Sequence, residues 1–84
     1  MTADEVRVLI ESGIESAQVK VSGENGMFDA VVVSEDFSGL SPVKKQQMVY
    51  AAVNDQIVSG EIHALTIKAY TPDEWHTASK LQIG

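Results

Sequence analysis

The sequence predicts an α+β domain in which a three-stranded mixed sheet carries helices on one face. Three observations lead there. A Thr-x-x-Glu capping box opens a helix near each end of the chain, at Thr2–Glu5 and at Thr71–Glu74. Three segments between those boxes read as strands. A helix-length segment separates the second strand from the third, so those two should run parallel if they pair, with a right-handed crossover.

Val6, Leu9, Ile10, Gly13 and Ile14 fall on one face of the first helix, which Gly13 should end. Ala17 to Ser22 alternates, with Val19 and Val21 on one side and Lys20 on the other. Gly23-Glu24-Asn25-Gly26 is a turn signal, and Phe28 to Val33 is a second strand, which makes an antiparallel hairpin.

Glu35 to Gly39 is a polar connection. Ser41 then caps a helix with Pro42 at its first position. The helix should reach about Val58, with a buried stripe of Val43, Gln47, Val49, Tyr50, Val53 and Ile57. It is long enough to bend, and Ser59-Gly60 closes it. Ile62 to Tyr70 is the third strand, with His63, Leu65 and Ile67 on one face and Ile62, Thr66 and Lys68 on the other. Pro72 follows Thr71 at the start of a short last helix.

The 84 residues make one domain, residues 1–84, with no repeat or linker. Such a chain buries about 60–65% of its unfolded surface. That leaves little volume for a deep, water-excluded pocket, which argues for binding over catalysis. The net charge of −6 disfavours nonspecific attraction to phosphate backbones and anionic membranes. No cysteine is present, so disulfides, thiol catalysis and a cluster held by the chain's own thiolates are excluded. No Gly-x-Ser-x-Gly or His-Glu-x-x-His motif occurs. The N-terminus carries no basic-then-apolar leader, and a cytoplasmic protein without a membrane role is expected.

The segments VKKQQMVY (Val43 to Tyr50) and IHALTIKAYTPDEW (Ile62 to Trp75), with Phe37 and Gly39, closely resemble the BolA family and in particular its IbaG-like branch. The element order matches that family's class II KH-like fold, and the resemblance runs from the first helix to about Trp75. It implies a role in iron–sulfur metabolism. BolA-like proteins pair with monothiol glutaredoxins carrying a CGFS motif. In the resulting heterodimer a [2Fe–2S] cluster is held by a glutaredoxin cysteine, a glutathione thiolate and a histidine from the BolA-like chain. By position that histidine is His63. The family's second ligand is a Cys or His in the loop joining the first two strands.

This sequence departs there. Its loop, Ser22 to Met27, holds neither residue. Glu24 offers a hard oxygen, and Met27 a thioether, a weak ligand for ferric iron. His76, beside Trp75 in the last helix, is a solvated histidine or a reserve ligand. No cluster is expected in the isolated protein, and an adaptor that binds glutaredoxin without one is a further reading.

The alternative is a nucleic-acid-binding regulator of transcription or stress. It would use Lys44 and Lys45, which sit in the first turns of a helix where the dipole disfavours cations. Their plainer reading is two solvated lysines. Gly23-Glu24-Asn25-Gly26 fits the KH loop pattern literally but joins two strands, so it reads as a hairpin turn. Whether the domain self-associates stays open.

Overall fold

A computed structural model describes the backbone of residues 1–83 and the side chains of residues 1–80. Gly84, the last residue of the predicted domain, lies outside the described residues. The order is α1 (Ala3–Gly13), β1 (Gln18–Glu24), β2 (Met27–Val33), a 3-10 turn (Glu35–Phe37), α2 (Pro42–Ala52), α3 (Asn54–Ser59), β3 (Ala64–Tyr70) and α4 (Pro72–Ile83). The sheet order is β1-β2-β3. β1 and β2 are antiparallel, and β2 and β3 are parallel, as the intervening helical segment predicts.

The caps form as the sequence expects. Thr2 and Glu5 exchange backbone-to-side-chain hydrogen bonds at 2.8 and 3.2 Å. Thr71 and Glu74 do the same at 2.8 and 3.2 Å. Ser41 Oγ accepts the Lys44 N–H at 3.3 Å, with Pro42 at the first helical position. Each box satisfies donors that a helix start leaves free.

Val6, Ile10 and Ile14 of the α1 stripe are buried against Val19, Phe28, Ala30, Val32 and Ile67 on one sheet face. Gly13 does more than end the helix. A methyl group there would stand 2.7 Å from Ala52 Cβ, so glycine lets α1 approach α2 closely.

The long helix breaks at Val53. Its φ/ψ of −123°/16° leaves the helical region, and its N–H bonds the Tyr50 carbonyl at 3.1 Å. Val53 is fully buried, so the break drives an apolar side chain into the core. The α2 stripe differs from the expected one. Lys45, Val49 and Val53 face inward, four residues apart, whereas Val43, Gln47 and Tyr50 are exposed.

Two corrections concern β3 and its end. The strand begins at Ala64, because the Ile62 N–H bonds the Gln56 carbonyl and Ile62 points into the core. Ile62 therefore does not share the outer face with Thr66 and Lys68. The fourth helix also leaves the layer of the other three. Trp75 packs its ring 5.4 Å from Tyr70, on the second face of the sheet. Val32 and Val33 are consecutive and both buried, so that end of β2 is covered on both faces.

Candidate functional site

The hairpin tip and the start of β3 meet. Asn25 and Gly26 have φ of 57° and 79°, a two-residue turn of the kind that matches strand twist. Glu24 and Met27 are the last ladder pair of β1 and β2, not members of a wider loop. Asn-Gly is the strongest short hairpin signal, and it could have located both strand ends from the sequence.

The Gly26 carbonyl oxygen accepts the His63 N–H at 2.7 Å and the Ala64 N–H at 3.1 Å. Met27 pairs with Ala64 at the head of the parallel ladder. A side chain on Gly26 would collide with Cδ2 of the His63 ring. The imidazole therefore lies on the bare α-carbon of a buried glycine, and His63 itself is exposed. Glycine is required at this turn position twice, for its positive φ and for the ring beside it.

Glu24 and Met27 are exposed beside the same turn, Met27 by 63%. The tip thus presents the His63 imidazole, the Glu24 carboxylate and the Met27 thioether to solvent. Among the described residues no three His, Cys, Asp or Glu side chains gather as a metal site. His76 lies on α4, beyond the opposite end of β3. The seven residues of that strand span roughly 20 Å, so His76 is no reserve ligand for the tip.

Lys44 is exposed, as expected of a solvated lysine. Lys45 is not. Its side chain is 9% exposed, and its Nζ donates to Glu74 Oε1 at 2.7 Å. The same oxygen accepts the Thr71 N–H, so the capping carboxylate of α4 also neutralises a buried cation on α2. Hydrogen bonding from Lys45, then from Thr71, holds the Glu74 carboxyl below its usual range. With Lys45 committed to Glu74, the nucleic-acid reading retains Lys44 alone of its two residues.

Gln46 and Tyr50, which carried part of the sequence resemblance, close the free edge of β3. Gln46 Nε2 donates to the Ile67 carbonyl at 2.8 Å, and Tyr50 Oη to the Leu65 carbonyl at 3.3 Å. Edge strands left open are templates for wrong pairing. Among the described residues, no helix is long and apolar enough to cross a membrane.

Comparison with known proteins places these features in a family context. The family model described as BolA-like protein matches residues 1–74. The acid stress protein IbaG of Escherichia coli K12 is 41% identical over 81 residues, covering 96% of each chain. A solved bolA homologue from Coxiella burnetii superposes with a TM-score of 0.82 at 34% identity, covering 90% of this chain and 97% of the other. The BolA domain of SufE1 from Arabidopsis thaliana gives a TM-score of 0.73 at 30% identity, covering 86% and 93%.

Proposed function

The chain belongs to the BolA-like family, and from that premise we propose that it is an adaptor of iron–sulfur metabolism. Its partner is a monothiol glutaredoxin, and His63 donates one ligand to a [2Fe–2S] cluster shared with that partner and glutathione. One observation carries the reading. His63 is exposed at the hairpin tip, where two backbone hydrogen bonds and the Gly26 surface hold it in place.

The donor chemistry fits a single contribution and no more. Imidazole replaces thiolate on iron in some [2Fe–2S] centres. The chain has no thiolate, so the two thiolate ligands come from the glutaredoxin and glutathione. At the position of the family's second ligand, Glu24 and Met27 fit poorly as replacements for Cys or His. One protein ligand from this chain makes a labile attachment, which suits transfer better than storage. The cluster supplies the redox-active and transferable iron; this chain supplies the imidazole and the docking surface around it. The solved BolA domain of SufE1 is a domain within another protein, which accords with a module that works beside a partner.

The test is reconstitution. The protein is mixed with a CGFS glutaredoxin, glutathione, iron and sulfide, and visible circular dichroism is compared with that of glutaredoxin alone. A new spectrum from a one-to-one complex supports the reading. A complex with the unchanged glutaredoxin spectrum leaves an adaptor without a ligand role, and no complex defeats the proposal.

A further inference from the structure

The end of the sheet opposite the His63 tip, where Gln18, Val33 and Tyr70 pair, borders an open cavity of about 580 Å³. That volume is within the range of small-ligand sites. Trp75 and His76 of α4, Gln18 of β1 and Glu35 of the 3-10 turn all line it. Tyr70 packs against the indole at 5.4 Å and holds it in place. Among the described residues, the Glu35 carboxylate belongs to no ion pair. The side chains of Gln18, Glu35, Trp75 and His76 form no hydrogen bond within the described chain. A fixed aromatic plane, an unpaired carboxylate and an amide therefore meet around one space with their polar atoms uncommitted.

The charge around that space is acidic. Glu35 and Pro72 are shared with an adjoining cavity of about 410 Å³, where Asp73 joins them. Among the described residues, no Lys or Arg lines either cavity. Lys20 lines a different one, together with Glu11. Lys80 is exposed and lines none of the three. The positive end of the α4 dipole, which opposes a cation, already carries Asp73 and Glu74 in its first turn.

We infer that this cavity takes a guanidinium group, the head of an arginine side chain. The group lies flat on the Trp75 indole and donates to the Glu35 carboxylate and the Gln18 amide oxygen. Planarity selects guanidinium over ammonium, because one planar fork can stack on an aromatic face and still donate at its edge. Charge selects it over an anion, since Glu35 and Asp73 repel one.

Trp75 is the single tryptophan of the chain, so its emission reports directly on the cavity wall. The probe is N-acetyl-arginine amide, titrated into the full protein at low salt. N-acetyl-lysine amide keeps the charge without the plane, and N-acetyl-citrulline amide keeps the plane without the charge. The inference expects a saturable emission change with the arginine compound, at least about threefold tighter than with either control. Glu35→Gln should weaken it about threefold, the worth of one exposed ion pair. Asp55→Asn, which removes the same charge on α3, should bind as the parent does. Far-UV circular dichroism of both variants should match the parent. No saturable change, equal binding of the arginine compound and either control, or undiminished binding by Glu35→Gln overturns the inference. Free L-arginine separates the two sources of the group: tighter binding than the blocked probe assigns a small metabolite, and weaker binding assigns an arginine within a partner protein. His63→Ala should leave the emission response intact, which separates failure here from failure of the cluster reading.

Discussion

The imidazole of His63 rests against the α-carbon of Gly26, whose carbonyl oxygen accepts the His63 N–H at 2.7 Å. The exposed histidine is thereby fixed to the hairpin turn, and the two positions should behave as one unit. Gly26→Ala forces a side chain into the left-handed region and into the ring. It should destabilise the protein by more than about 1 kcal/mol in urea unfolding. In a His63→Ala background the cost should fall, because the collision is gone and only the backbone strain remains. Equal costs in both backgrounds would show that the ring does not press on the turn.

Gly13 gives a second prediction. Within a helix, Gly→Ala normally stabilises by roughly 0.5–1 kcal/mol. Here the added methyl stands 2.7 Å from Ala52 Cβ, so Gly13→Ala should destabilise instead. Ala52→Gly introduced into that variant should relieve the collision. The thermal midpoints of the three proteins decide it.

Glu74 links stability to pH. Its carboxyl is held low by the Lys45 and Thr71 hydrogen bonds, so the folded state binds its proton less readily than the unfolded state does. The stabilisation is present above the unfolded-state value and is lost as pH falls through the folded one. Glu5 is held low in the same sense by its hydrogen bonds with Thr2. Glu74→Gln should therefore lower stability at neutral pH, and the difference from the parent should vanish well below the carboxylate range. Urea midpoints across an acid pH series measure this.

The β3 edge supplies a fourth. Gln46→Ala removes the donor to the Ile67 carbonyl and should cost about 1 kcal/mol. Lys44→Ala, two residues away on the helix and exposed, should stay within about 0.5 kcal/mol. Denaturation midpoints of the two variants test the contrast.

Much of this was legible in the chain. The two capping boxes, the Ser41-Pro42 helix start and the parallel pairing of β2 with β3 follow from local residue chemistry and from connection rules. The stripe on α2 was not legible. Its inward face includes Lys45, which no hydrophobic pattern selects, because the partner that makes its burial tolerable is Glu74, 29 residues away. Val43 and Tyr50, apolar enough to suggest a core, are exposed instead. The break at Val53 left no glycine or proline as a marker. At the candidate site the sequence supplied His63, but Gly26 looked like an ordinary turn glycine. Its second role depends on a contact between residues 37 positions apart, which only the folded ladder creates.

The most direct test of the central claim is the visible circular dichroism of the reconstituted glutaredoxin complex, recorded for the parent, His63→Ala and His76→Ala proteins. The account predicts that His63→Ala alters the cluster spectrum or shortens the cluster lifetime, while His76→Ala, on the far side of the sheet, matches the parent. A His63→Ala complex with the parent's spectrum and lifetime would contradict it.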